Sequence, residues 1–315
     1  MRIVIALDGN ALLRRGDPMT TEVQRRNVKT AAEAIAPLAA GHNIVVVHGT
    51  GPQVGLLALQ VGADAGAEPC PPDVLDAGTQ GMTGYLIHQE LRSLLPPEQQ
   101  VATLLTMITV DPGDPAFASP AKLVGSVYPQ EAAGKLAAEK GWPFRRDGAA
   151  WRRVVPSPSP RRILESQPIS WLLERGAVVI CAGGGSIPAM YPSSAPGHLL
   201  GAEAGIDEDL ASELLAEDVD ADLLVMATDV DGVYLGWGTP GQRRLDTVTP
   251  QQLAGHQFAA GSMGPKVQAA ARFAAKTGNR AAIGSLADIA QIVAGKAGTN
   301  IVAPTAHDGV ALGFS

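Results

Sequence analysis

Apolar residues fall along this chain in short unbroken runs, separated by stretches whose apolar positions recur every three or four residues. RIVIAL (2–7) and NIVVVH (43–48) are continuous runs of strand length, the pattern of strands covered on both faces. Between them, Thr20 or Thr21 can cap a helix in which Val28, Ala31, Ala32, Ile35 and Leu38 share a face, and Gly41 stands where a terminal glycine would stop it. The alternation continues with the runs VATLLTMITV (101–110), AVVICA (177–182) and ADLLVMATDV (221–230). Helices are predicted over 83–95, 168–175 and 207–216, the last with Leu210, Leu214 and Leu215 on one side. Strands alternating with helices predict an α/β fold, a three-layer αβα sandwich around a mainly parallel sheet. Ligands of such folds gather at the carboxyl ends of the strands.

Residues 118–155 break this alternation. They carry several Pro and Gly, Lys122, Lys135, Lys140, two Trp and the pairs Arg145/Arg146 and Arg152/Arg153. They read as a small inserted subdomain or lid within a single domain over 1–315, with a long surface excursion as the plainer alternative. The tail after Ala303 is expected to be poorly held.

Composition narrows the classes of function. With 46% hydrophobic residues in 315, the chain can fill a large core. A net charge of −7 and no basic stripe argue against nucleic-acid binding. No apolar run is long enough to cross a bilayer and no signal segment opens the chain, so a cytoplasmic protein without a membrane partner is expected. Cys70 and Cys181 lie far apart in unlike surroundings, and no metal-ligand spacing is visible.

Three Gly-containing turns follow three predicted strands: Asp8-Gly9-Asn10, the HGTGPQVG segment with Gly49, Thr50 and Gly51, and the AGGGSIP segment with Gly183, Gly184, Gly185 and Ser186. Any one turn needs glycine for steric reasons alone; three at strand carboxyl ends point to an anion or phosphate site. Only seven residues are lysine. Lys266 closes a Gly-rich turn at the start of a helix, where an ammonium can reach a phosphate, whereas spacing leaves Lys122 open between site and surface. Asp229 and Asp231 in ATDVDGVY read as turn residues, and His48 as a strand-end histidine bonded to backbone.

From its first strand to about Val302 the chain resembles the carbamate kinases of the amino acid kinase family. The segments that carry the resemblance are IALDGNALLRRG, VVVHGTGPQVGLLALQ, VDPGDPAF, PAKLVG, WRRVVPSPSPRRILE, VVICAGGGSIP, TDVDGVYLGWGTP and FAAGSMGPKVQAAARF, in the family's order. The resemblance implies an eight-stranded, mostly parallel sheet, a protruding subdomain and a homodimer. It implies phosphoryl transfer between ADP and carbamoyl phosphate with Mg²⁺, making ATP and carbamate in the catabolic direction. Asp8, Gly9, Asn10, Gly49, Thr50, Gly51, Gly183, Gly184, Gly185, Ser186 and Glu208 would then surround the small substrate and the transferred phosphate. Asp229, Val230, Tyr234, Met263, Gly264 and Lys266 would form the nucleotide side, with Lys122 and Lys266 as the catalytic cations.

Four positions depart from the family's usual LGGN, HGNGPQVG, GGGGIP and IDKD: they hold Asp8, Thr50, Ser186 and Glu208. The family's lysine at the Glu208 position faces the phosphates, and reversing one charge about 4 Å away costs up to about 8 kcal/mol at an effective dielectric near 20. Asp8 adds a second like charge and removes a glycine that could have held a positive φ. Compensation by a Mg²⁺, by Arg14 or Arg15, or by a cationic acceptor in place of carbamate are the three remedies; the last best explains two new carboxylates. The expectation is a carbamate kinase-type enzyme with ordinary activity weakened. The alternatives are action on another small amine, amide or carbamoyl compound, and a non-catalytic nucleotide-binding protein.

Overall fold

The computed structural model describes residues 1–12, 20–50, 53, 54, 57, 70–259 and 261–304. Arg14, Arg15, Gly51 and the tail from 305 lie outside the described residues. The main sheet has eight strands, numbered here in chain order: β1 (Arg2–Leu7), β2 (Asn43–His48), β3 (Val101–Thr103), β4 (Val178–Ile180), β5 (Leu223–Thr228), β6 (Thr247–Val248), β7 (Arg280–Ser285) and β8 (Thr299–Ile301). Their spatial order is β6-β8-β7-β5-β1-β2-β4-β3. Every neighbouring pair is parallel except β7 and β8.

Side chains alternate faces along a strand, so β1 supplies both halves of the core: Val4 and Ala6 to one cluster, Ile3, Ile5 and Leu7 to the other. Four of the helices that cover the sheet are α1 (Thr21–Ile35), α2 (Pro72–Leu94), α3 (Glu208–Asp218) and α4 (Met263–Thr277). α1 and α2 contribute to the cluster containing Ile3, Ile5 and Leu7, while α3 and α4 contribute to the other. The sheet is thus a middle layer covered on both sides, as the continuous apolar runs require.

Three expectations need correction. The run 101–110 is not one strand: after β3, Met107–Val110 joins a separate four-stranded sheet with Ile187–Met190, Leu200–Gly201 and Pro160–Ile163. The switch occurs at buried Thr106, whose N–H donates to Gln80 Oε1 at 2.6 Å instead of to a strand partner. α2 begins at Pro72, well before residue 83, with proline in the first turn where its missing N–H costs nothing. Its glycines hid the helical period, and Gly84 is needed because a methyl there would lie 2.7 Å from Thr103 Cγ2. Gly41 ends a 3₁₀ turn (Ala36–Ala40) that continues α1, with φ of −128° rather than a left-handed conformation.

Lys122–Tyr128, Ala150–Val155 and Phe144–Asp147 form a separate antiparallel sheet packed with helix Gln130–Lys140. Trp142 lies between Lys140 and Arg153, whose cationic groups sit 4.8 and 4.0 Å from its ring centre. Arg153 pairs with Glu203, and Val155 borders Gly205, so the root of this unit leans on the segment leading into α3. Among the described residues no helix is long and apolar enough to cross a membrane.

Candidate active site

Because their strands are parallel, the turns after β1, β2 and β4 open on the same edge of the sheet. Asp8 N–H donates to Ala227 O at 3.0 Å and Gly49 N–H to Leu7 O at 2.8 Å, which carries the sheet pairing one residue into each turn. The two turns touch: a methyl on Gly49 would sit 2.5 Å from the Gly9 nitrogen and 2.9 Å from Glu208 Oε2. In the third turn Ala182, Gly184, Gly185 and Ser186 all hold positive φ. Gly184 also has no room for a side chain, since Thr50 Oγ1 would be 2.1 Å from its Cβ. Gln80 fixes this turn from α2, donating to Gly183 O at 3.0 Å while accepting from Thr106 N.

The positive φ that a glycine could have held at the Asp8 position is not found there; the strained backbone is at Ser186. Asp8 is not among the positive-φ residues; Ser186 holds φ 73° and ψ 166° and buries a hydroxyl that has no partner among the described residues. His48 is buried and its Nδ1 lies 3.4 Å from Gly49 O. Burial pushes its pKa down to about 4, so it is a neutral packing residue, in line with the backbone-bonded reading.

Lys266 is the cationic centre. Its buried ammonium lies 3.1 Å from Asp8 Oδ2 and 3.0 Å from Asp209 Oδ1. Burial works to lower its pKa, but the carboxylates of Asp209, Asp8 and Glu208 outweigh that and raise it, so Lys266 stays charged. Burial raises Glu208; Lys266 and Lys122 oppose the shift, Asp8 and Asp207 reinforce it. Asp209 is pushed up to about 7 by burial against the pull of Lys266. Lys122 reaches in from the small sheet, its stem passing Gly205 and its Nζ donating to Ile206 O, two residues before Glu208.

Asp8, Glu208, Lys266 and Lys122 therefore converge, although they lie in four separate parts of the sequence. Asp8 finds its cation in Lys266, a partner not among the three compensations expected from sequence. Asp209 and Thr228 belong to the same cluster and were not singled out in the sequence. Thr228 Oγ1 lies 3.3 Å from Asp8 Oδ2 and 3.2 Å from Asp229 Oδ1, linking the β1 and β5 turns. An acidic pair at a helix start looks like dipole compensation, which masks Asp209's role as a lysine partner.

The remaining predicted residues are more dispersed. Tyr234 sits on the hairpin formed by Val233–Leu235 and Arg243–Leu245, donates to Asp231 Oδ1 at 2.8 Å and packs edge-on against Trp237. Val230 is half-buried in the turn after Asp229. Met263 and Gly264 open α4, and Gly264 lines a cavity of about 510 Å³ with Leu253, Phe258 and Pro265. Gly9 and Asn10 belong to one short turn of helix, Gly9–Leu12. Among the described residues no group of three or more His, Cys, Asp or Glu is placed to hold a metal ion.

A sequence model of the amino acid kinase family matches residues 1–285. The carbamate kinase of Rhizobium meliloti (strain 1021) is 58% identical over 301 residues, covering 96% of this chain and 93% of the relative. That of Haemophilus influenzae is 55% identical, covering 97% and 98%. Among solved structures, carbamate kinase from Giardia lamblia bound to AMP-PNP superposes with a TM-score of 0.88 at 38% identity, covering 96% of this chain and 98% of that one. The αβα architecture, the order of the motifs and these full-length similarities together place the chain in the amino acid kinase family, among its carbamate kinases.

Proposed function

We propose that this chain is a carbamate kinase-type phosphotransferase, moving a phosphoryl group between carbamoyl phosphate and ADP, in which Asp8 and Glu208 weaken the ordinary reaction. The observation that carries the reading is the buried Lys266 ammonium at the point where the turns after β1 and β5 meet the first turns of α3 and α4. Phosphoryl transfer needs no protein nucleophile; it needs alignment and positive charge around the moving group. Lys266 supplies charge from the core side and Lys122 from the small sheet, while the turns at 8–10, 48–50 and 183–186 line the small-substrate side. Asp229, Val230, Tyr234, Met263 and Gly264 form the nucleotide side of the same cleft. Mg²⁺ arrives with the nucleotide phosphates and supplies neutralising charge there.

Asp8 and Asp209 already satisfy Lys266, so Asp8 needs no cationic acceptor to balance it. What they do is compete with the phosphate for its lysine. A cytoplasmic homodimer is part of the same reading, supported by exposed Val74, Met82 and Tyr85 along α2, with Leu105 beside Gly81. Calorimetric titration with MgADP, followed by coupled ATP formation from carbamoyl phosphate, tests the proposal. Nucleotide binding with slow turnover is expected, and Lys266→Met should reduce that turnover by about 10²–10³-fold. Absence of nucleotide affinity, or turnover untouched by Lys266→Met, would overturn the reading.

A further inference from the structure

Glu208 Oε2 reaches the contact between the turns after β1 and β2, beside Gly9 and Gly49. The N-terminus of α3 does not offset this charge, because Asp207 already accepts from Asp209 N and Leu210 N. Asp8 faces Glu208 from the turn after β1, Asp207 and Asp209 flank it on α3, Lys266 faces it from α4, and Lys122 from the small sheet. Asp73 and Asp76 of α2 stand beyond Lys122. Lys266 is held by Asp8 and Asp209, and Lys122 donates to a backbone carbonyl. Among the described residues Glu208 has no ion pair within 4 Å. When all four carboxylates are ionised they outnumber the two ammonium groups of the cleft.

We propose that Glu208 is a specificity-determining residue that works through a proton: a tetrahedral dianion occupies the cleft only when Glu208 is the neutral acid, donating its O–H to an anion oxygen, and the ionised carboxylate excludes it. The inference rests on the phosphotransferase reading in taking the dianion to be the transferred phosphoryl group. Binding then takes up one proton, which moves from solvent to the carboxylate. Burial, which already disfavours the ionised form, works in the same direction.

Sulfate is the suitable probe, because it stays a dianion from about pH 5.5 to 8.5 and so keeps its own charge fixed while the pH is varied. In calorimetric titrations the sulfate dissociation constant should rise about tenfold per pH unit on the alkaline limb, with one proton taken up when buffers of different ionisation enthalpy are compared. Glu208→Gln should flatten the profile, and Glu208→Asp, which keeps the charge, should retain a slope. A flat profile in the natural protein, or a slope that survives Glu208→Gln and so belongs to Asp209 or Asp76, overturns the inference. MgADP affinity and ATP formation on the same samples separate the two levels of the reading. Sulfate behaving as stated in a protein that neither binds MgADP nor forms ATP would refute the phosphotransferase function and leave Glu208's role standing. ATP formation by Glu208→Gln that persists at alkaline pH supports both.

Discussion

Ser186 holds a conformation used almost only by glycine and buries a hydroxyl without a described partner, so the turn after β4 stores a cost. Such a backbone contributes about 1–3 kcal/mol of strain. Leaving a buried hydroxyl unpaired adds about 1–3 kcal/mol. Replacing Ser186 by Gly removes both and gives back about 0.4–1 kcal/mol through the freer unfolded chain. The net expected stabilisation is about 1–5.5 kcal/mol. For 315 residues the unfolding entropy is about 0.66 kcal/mol/K, so the melting temperature should rise by about 1.5–8 °C. Scanning calorimetry of the natural protein and Ser186→Gly near neutral pH measures this directly. An unchanged or lower melting temperature would refute the argument, because it would mean that Ser186 finds a partner or an easier backbone than its dihedral angles indicate.

Two further outcomes concern buried polar groups. Glu213 is pushed up to about 7 by burial and by its hydrogen bond with Glu217, from an ordinary value of 4.5. Because the folded-state pKa is the higher one, the stability linked to Glu213 is fully present below about pH 4.5 and is lost as pH rises through about 7. Glu213→Gln should therefore gain in melting temperature over the natural protein between about pH 5 and 8, and a constant difference across that range would contradict the assignment. Gln80→Leu should lose about 2–4 kcal/mol in urea unfolding, because Thr106 N–H and Gly183 C=O are left buried without their partner. A loss below about 0.5 kcal/mol would show that Gln80 does not hold the third turn.

The layers of this fold were legible because buried parallel strands must be continuously apolar: RIVIAL, NIVVVH and the core of ADLLVMATDV became β1, β2 and β5. Thr20 was legible as a helix cap, and its side chain accepts from Val23 N. The run 101–110 misled because its apolar character is uniform while the partner that breaks it, Gln80, comes from another element. The early part of α2 was hidden by Gly78 and Gly81, whose low helix propensity weakens the pattern although both lie within the helix. Motif order pointed to turns and lysines that the fold brings together. It could not reveal that Asp8 and Asp209 share Lys266, since that pairing joins residues more than 50 positions apart.

The most direct measurement is coupled ATP formation from carbamoyl phosphate and MgADP at about pH 8, comparing the natural protein with the Asp8→Gly, Glu208→Lys double variant. Removing one competing carboxylate and reversing the other's sign restores several kcal/mol of favourable charge, so the variant should be faster by at least about 100-fold. A natural protein already turning over near the median enzymatic rate of about 10 per second, or a folded variant no faster than it, would contradict the account.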